Sequence, residues 1–317
     1  MQSNIFPLVS IITVNYNQTK VTLDLLKSLE SVTYPNIEMI VVDNASKENP
    51  VEIIHQKFPE VITIRIEENL GFAGGNNEGI RIAKGEYFLF LNNDTEVAPD
   101  FLEPMIQFMA QNPETGMCSP KIRFFEPKDL IQYAGSTDID YLRVASYTIG
   151  YGQKDIGQYD KTEFTHLIHG AAMLIPRQVV EKVGFMAEQF FLYYEELDWC
   201  ERVKRAGYKV AYISASLVYH KESISVGKSS LLQIYYKTRN RILFVRRNLS
   251  GFQLFLALAY LYGIAAIKNL LKYLFRLQFN YFKIYWRAIF WHFKPHPTAF
   301  SNPTFENTQK IIFKDKI

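Results

Sequence analysis

The chain has 317 residues, enough for one large domain with appendages, and 48% of them are apolar, ample for a packed core. Its two cysteines, Cys118 and Cys200, lie far apart in sequence, exclude a disulfide framework and suit a reducing compartment. Net charge is only +3, but residues 1–222 carry 20 Lys/Arg and 30 Asp/Glu whereas residues 223–317 carry 15 and 2, a split that predicts an anionic partner for the C-terminal part.

The first segment, "MQSNIFPLVSIITVNYN", lacks the basic n-region and cleavage site of a secretory signal, so a cytoplasmic protein is expected. Residues 8–14 form an apolar, β-branched run of strand length. Residues 18–33 read as a helix with Val21, Leu25, Leu26 and Leu29 on one face. Residues 37–46, 61–69 and 86–94 read as further strands, and 76–84 as a helix. Strands that are apolar on both faces and alternate with helices predict an α/β fold, with a mostly parallel sheet covered on both faces. Ligands of such sheets sit beyond the carboxyl ends of the strands. Those ends here carry Asn15 and Asn17, Asp43 and Asn44, Glu68 and Asn69, and Asn92 to Asp94.

Residues 113–165 give no clear element. Residues 169–185 read as a short strand, then a helix started by Pro176 and stopped by Gly184. An aromatic segment follows, then a helix over about 195–206, a stop at Gly207 and a strand.

The stretch "LFLNNDTEVAPDF" (89–101) ends an apolar strand on two amides and a carboxylate. A divalent cation such as Mg²⁺ takes oxygen ligands, often one or two carboxylates together with substrate phosphates. Asp94 suits that role, with Asn92 adding an amide oxygen or orienting a water; plain turn chemistry also accounts for the pattern. Asp43 ends a buried strand and could accept the imide N–H of a uracil or thymine ring, or close an Asx turn over Asp43-Asn44-Ala45-Ser46. The loop "NLGFAGGNN" (69–77) has the glycines that let backbone approach a ligand, or that make a flexible turn.

Taken in order, "VSIITVNYN", "VVDNAS", "NLGFAGGNN", "LFLNNDTEVAPDF", "HGAAMLIPR", "FFLYYEELDWCERVKRAGY" and "VYHKESIS" resemble the family-2 inverting glycosyltransferases, and most of all their bacterial rhamnosyltransferase-like branch. The resemblance covers about residues 7–248. It implies a GT-A fold, a nucleoside-diphosphate-sugar donor, and Mg²⁺ or Mn²⁺ at a D-x-D-like turn. Carried over by position, Asp43 reads the base beside Thr13, Asn15 and Asn17. Asn44, Asn69, Gly71, Gly74, Asn76 and Asn93 join the donor site. Asn92 and Asp94 take the two acidic places of the turn, the first of which is an amide here, and His220 completes the metal site. The paired-acid motif makes Glu196 the base, where relatives more often have Asp, with Asp198 orienting the acceptor and standing as the fallback base. Three acids in a first helical turn also suit the helix dipole. His169 opens a loop expected to shape the acceptor pocket, and Trp199 offers either a sugar platform or core packing.

Residues 1–248 thus form the expected catalytic domain, with a donor half to about residue 100 and an acceptor half after it. Residues 249–317 form a basic, aromatic helical region. Its run 252–267 is sixteen residues without a charge, short of the roughly 20 that span a bilayer. With Lys268, Lys272, Arg276, Lys283 and Arg287 among aromatics, it reads as lying on the anionic inner face of the plasma membrane. A homo-oligomer interface is the alternative. No nucleic-acid module is present, and the long aliphatic runs argue against that partner. The expected activity is transfer of a sugar, dTDP-rhamnose favoured and UDP-sugars the alternative, to a lipid-linked or polysaccharide acceptor in bacterial surface glycan synthesis. A non-catalytic nucleotide-sugar scaffold and a nucleotidyltransferase are the other readings.

Overall fold

The computed structural model describes residues 6–221, 230–296 and 302–305. Among them, ten strands make one sheet. They are β1 (Val9–Asn15), β2 (Ile37–Asn44), β3 (Ile62–Ile66), β4 (Tyr87–Leu91), β5 (Thr95–Val97), β6 (Thr115–Phe124), β7 (Ile131–Tyr133), β8 (Glu163–Thr165), β9 (Ala172–Pro176) and β10 (Lys209–His220). The main path runs β3-β2-β1-β4-β9-β6-β10-β5. The helices are α1 (Thr19–Leu29), α2 (Val51–Lys57), α3 (Gly71–Ile82), α4 (Leu102–Gln111), α5 (Arg177–Val183), α6 (Glu195–Arg205), α7 (Leu231–Asn248), α8 (Gly251–Ala259), α9 (Ala266–Phe275) and α10 (Phe279–Phe290).

The sheet divides by handedness of pairing. β3, β2, β1 and β4 are parallel neighbours, as the uninterrupted apolar runs predict. β9 then enters antiparallel between β4 and β6, and β5 closes the far edge antiparallel to β10. The sheet is therefore mixed: a four-strand parallel run comes from the first hundred residues, and β6 and β10 form a second parallel pair beyond β9. Helices cover both faces over two large apolar clusters.

Two expectations change. The glycine-rich stretch is no loop: α3 starts at Gly71, not at residue 76. The reason lies in two asparagines, one remote and one adjacent to the helix start. Asn44 Oδ1 accepts from Leu70 N at 2.8 Å and Asn69 Oδ1 from Gly71 N at 2.9 Å, satisfying donors that a helix start leaves unpaired. The glycines then serve packing. A Cβ on Gly75 would lie 2.9 Å from Val14 Cγ1, and one on Gly79 2.4 Å from Ile12 Cγ2, so α3 can sit close on β1 only without them.

The second change concerns the C-terminal region. α8, a π-helical segment Tyr260–Ala265 and α9 run on as one helix, Gly251–Phe275, of 25 residues. Among the described residues it is the one helix long and apolar enough to cross a membrane. The count of sixteen uncharged residues stopped at Lys268, but the helix does not. Ala257, Leu261, Ala265 and Ala266 are buried against the protein, while Phe252, Phe255, Ile264, Ile267 and Phe275 face outward. α10 is not a free surface helix either: Ile284, Tyr285, Ala288 and Ile289 bury one side of it, and α7 is its main neighbour. Residues 302–305 return to the sheet-bearing part of the chain, where Phe185 N donates to the Pro303 carbonyl at 2.8 Å and Phe305 packs edge-on against Phe185.

Candidate active site

The carboxyl ends of β1, β2 and β4 meet in a chain of buried side chains. Asn15 Nδ2 donates to Asp43 Oδ1 at 2.9 Å and to Ser46 Oγ at 3.1 Å. Thr22 Oγ1 donates to Asn15 Oδ1 at 2.9 Å, and Asn93 Nδ2 donates to Thr22 Oγ1 at 3.1 Å. The turn after β2 is thereby tied, through α1, to the turn after β4. Asn15 and Asn93, expected at the donor, spend these bonds on positioning instead. Asp43 Oδ2 accepts from Ser46 N at 3.3 Å, so the Asx turn that the sequence also allowed is present, and Arg65 Nε stands 3.6 Å from the same oxygen. Asn17 holds the neighbouring backbone: its own N donates to Ser46 Oγ and its Oδ1 accepts from Lys47 N, both at 2.8 Å. Thr13 is buried, and its Oγ1 has no hydrogen-bond partner among the described residues.

Asn44 and Asn69 are consumed in starting α3. Gly71, at φ +71°, lets the Phe191 carbonyl approach, since a Cβ there would lie 2.2 Å from that oxygen. A Cβ on Gly74 would meet Leu70 Cβ at 2.5 Å, and Asn76 Nδ2 bonds back to the Phe72 carbonyl at 2.9 Å. The contribution of this segment is therefore a packed helix start.

β5 pairs antiparallel with the end of β10, setting Thr95 opposite His220. That register places His220 Nε2 3.1 Å from Asp94 Oδ1 and 3.5 Å from Asn92 Nδ2. His220 Nδ1 lies 2.8 Å from Gln132 Oε1. An amide oxygen only accepts, so Nδ1 donates to it and Nε2 is the ring nitrogen that faces the carboxylate. Two acceptors that close need positive charge between them, either a second ring proton or a cation. Donors bound about 2.1 Å from one octahedral ion, at adjacent positions, sit about 3 Å apart. The pair fits that spacing, and Gln132 is the outer partner that a metal-bound histidine usually has. Among the described residues no group of three or more His, Cys, Asp and Glu side chains gathers, so Asn92 would be the third protein group at hand. Gln132 was missed in the sequence because it lies in the unassigned stretch 113–165 and belongs to no motif.

Glu195 and Glu196 open α6 directly after a strained segment: Phe191, Tyr193 and Tyr194 all have positive φ, at 63°, 72° and 77°. Such residues persist only where the surroundings over-determine them. Here the buried Asn240 does so. Its Nδ2 donates to the carbonyls of Phe190, Leu192 and Tyr193, each at 2.8 Å. Arg239, also buried, holds the Phe190 carbonyl at 2.9 Å. Glu195 is buried; Glu196 is half-buried, and a Cβ on Gly170 would lie 3.9 Å from its Cγ. Burial raises the pKa of both carboxyls, Glu195 further because Glu196 adds repulsion, whereas Lys237 pulls Glu196 down. Beside Gly170 stands His169, its ring 5.8 Å from that of His220. Burial, with His220 adding to it, pushes the His169 pKa down to about 3. Asn92 N donates to the Ala171 carbonyl at 2.9 Å, so Glu196 and the Asp94–His220 pair flank the same short stretch, 169–171.

Two expected residues do not belong to the site. Asp198 is fully buried and accepts from Arg202 Nε at 2.9 Å, Arg247 Nε at 2.9 Å and Asn248 Nδ2 at 3.0 Å. These cations hold its carboxyl down at about 2 against the cost of burial, so it is neither a base nor open to an acceptor. Trp199 is fully buried with Nε1 donating to the Gly184 carbonyl at 2.9 Å, which makes it core.

Residues 10–184 match the family described as glycosyl transferase family 2. The chain belongs to that family. An uncharacterized glycosyltransferase of Rickettsia prowazekii is 31% identical over 195 residues, covering 59% of this chain and 56% of its own length. The chain thus spans little more than half of that relative. The low-salt glycan biosynthesis hexosyltransferase Agl10 of Haloferax volcanii is 27% identical over 239 residues, 74% of each chain. Among solved structures, GalNAc-T7 with UDP, GalNAc and Mn²⁺ superposes with a TM-score of 0.62 at 16% identity, covering 77% of this chain and 48% of that one, a likeness of fold. The family-2 assignment and the mixed GT-A-type sheet agree.

Proposed function

We propose that this family-2 protein is a metal-dependent inverting glycosyltransferase of the rhamnosyltransferase-like branch. It takes a sugar from a nucleoside-diphosphate donor, dTDP-rhamnose before UDP-sugars, to a lipid-linked or polysaccharide acceptor in bacterial surface glycan synthesis. Residues 1–248 form the catalytic domain and 249–317 a membrane-associating region on the cytoplasmic face. The observation that carries this reading is that the Asp94–His220 pair, through Asn92 and the His169 ring, and the Glu196 side chain, through Gly170, both lie against the stretch 169–171.

In this reading Asp94, His220 and Asn92 hold Mg²⁺ or Mn²⁺. When bound, the ion offsets charge on the leaving diphosphate. Asp43 accepts from the base, its carboxylate fixed by Asn15 and Ser46. Glu196 takes the proton from the acceptor hydroxyl as that oxygen attacks the anomeric carbon, and the nucleoside diphosphate departs from the opposite face. A carboxyl raised above its ordinary range is the better base near neutral pH. GalNAc-T7, bound to UDP and Mn²⁺, supports a nucleotide and a divalent ion in this fold.

Incubation with a panel of nucleotide sugars and Mn²⁺ tests the reading by its products. Free nucleoside diphosphate with a glycosylated acceptor is expected. Pyrophosphate would mean nucleotidyl transfer, and nucleotide binding without turnover of any donor on any acceptor offered would mean a scaffold.

A further inference from the structure

His169 opens the stretch that the Asp94–His220 pair and Glu196 share, and its two ring nitrogens are not equivalent. Nδ1 accepts from Ala171 N at 3.1 Å. A nitrogen that accepts an N–H bond carries no proton of its own, so the ring proton is on Nε2. Moving it to Nδ1 would set two N–H groups against each other. Neighbouring rings fix the orientation. The His169 centroid lies 5.7 Å from that of the buried Tyr133, whose hydroxyl is tied to the Leu167 carbonyl at 2.7 Å, and 5.8 Å from that of His220, with the two imidazoles at 74°. His169 is only half-buried, and its Nε2 has no hydrogen-bond partner among the described residues.

This arrangement excludes two roles. A protonated Nε2 cannot take a proton from the acceptor, so His169 does not compete with Glu196 as base. Nor does the ring have a lone pair to spare for a cation beside Asp94 and His220. What it offers is one oriented, uncharged N–H. Position decides what that group meets. Gly170, the next residue, lies against Glu196, where an added Cβ would stand 3.9 Å from Glu196 Cγ. The Ala171 carbonyl accepts from Asn92 N at 2.9 Å, in the turn that carries Asp94. With the diphosphate at the Asp94–His220 end and the acceptor hydroxyl at Glu196, the sugar in transit spans residues 169–171. We infer that His169 Nε2 donates to a hydroxyl of the transferred sugar and so helps to select the donor. A polar group set to meet a substrate hydroxyl is left unpaired by a sugar that lacks it, and that sugar is rejected. This inference rests on the glycosyltransferase reading and adds to it a residue that reads the sugar rather than the nucleotide.

The test titrates the full chain by calorimetry, in Mn²⁺, with dTDP, UDP, dTDP-rhamnose, UDP-glucose, UDP-galactose and UDP-N-acetylglucosamine. Wild type is compared with His169→Phe, which keeps a ring without a donor, and His169→Gln, which restores an N–H. In the wild type at least one nucleotide sugar should bind more tightly than its bare nucleotide. His169→Phe should lose about five- to tenfold in affinity for that nucleotide sugar, and His169→Gln should recover part of the loss. Both should keep their affinity for dTDP or UDP within twofold. Among monodeoxy forms of the preferred sugar, one should bind wild type and His169→Phe alike, because the hydroxyl and the donor are then both gone. Equal affinity of wild type and His169→Phe for every nucleotide sugar would overturn the inference. A loss shared by the bare nucleotides would make His169 a support of the cation site and overturn it too. So would a loss that no monodeoxy sugar cancels, which would assign the ring to packing, or a wild type that binds no sugar more tightly than its bare nucleotide. Absence of all nucleotide binding in the wild type would instead strike the glycosyltransferase reading, and this inference with it.

Discussion

Asn240 has no contact with a substrate in any reading of the site, yet it should be costly to change. The segment it braces holds three residues at positive φ, Phe191, Tyr193 and Tyr194, each carrying strain of about 1–3 kcal/mol. Against this stand hydrogen bonds from one buried amide to three carbonyls. Removing the amide leaves the Leu192 and Tyr193 carbonyls without this donor, at about 1–3 kcal/mol each, while the Phe190 carbonyl keeps Arg239. The expected loss for Asn240→Ala is therefore roughly 2–6 kcal/mol. If the segment relaxes to relieve its strain, part of that loss is recovered, but Glu196 then leaves its place beside Gly170. The variant should melt earlier by several degrees, and kcat/KM should fall at least tenfold, while the Kd for nucleotide and Mn²⁺ stays near wild type, because Asp94 and His220 hang on β5 and β10. Differential scanning calorimetry, steady-state kinetics and nucleotide titration read the three quantities. Wild-type kcat/KM in a folded Asn240→Ala protein would refute the idea that this amide places the base.

Glu196→Gln should abolish transfer with donor affinity kept; turnover equal to wild type would remove Glu196 from the mechanism. Because the base must be deprotonated and burial raises its pKa, kcat/KM should climb with pH along a limb above the ordinary glutamate range. Lys237 favours the carboxylate, so Lys237→Met should move that limb to higher pH, and an unmoved or lowered limb would contradict the assignment. Asp94→Ala should eliminate metal-dependent nucleotide binding, and Gln132→Leu should weaken Mn²⁺ affinity about 10–100-fold by releasing His220, both read by calorimetric titration. Asp198→Asn should cost about 3–5 kcal/mol in thermal or denaturant unfolding by stranding Arg202 and Arg247. Since the folded-state pKa of Asp198 is depressed to about 2, the wild type keeps this stabilisation above about pH 4 and loses it as the pH falls toward 2; the variant should show a flatter acid limb.

The parallel half of the sheet was legible because β1, β2 and β4 are buried on both faces and so read as unbroken apolar runs. Beyond it, β9 and β10 were legible as well, but β5, β7 and β8 were not: they are three residues each, too short to show a period. The family resemblance marked Asp94, His220 and Glu196, which the fold brings to either side of one short stretch. It also marked Asp198, where helical spacing alone cannot tell an inward from an outward face; its partner Arg247 comes from elsewhere in the chain. For Trp199 the structure decides between the two readings the sequence allowed, in favour of core. The glycines of "NLGFAGGNN" misled for a related reason. Low helix propensity is a local quantity, and the close seating of α3 on β1 outweighs it. Gln132 and Asn240 carry no sequence signal, since an amide that positions another group looks like any other amide.

The long helix Gly251–Phe275 is fastened at both ends, by α7 before it and by α10, on α7, after it. A hydrophobic rod mounted in this way cannot swing like a tethered anchor. In the proposed membrane association it would fix one standoff between the bilayer and the sugar-transfer chemistry, so the proposed lipid-linked acceptor would be measured from the lipid outward, as a ruler does, and lengthening the glycan by one residue would carry the reactive hydroxyl out of range.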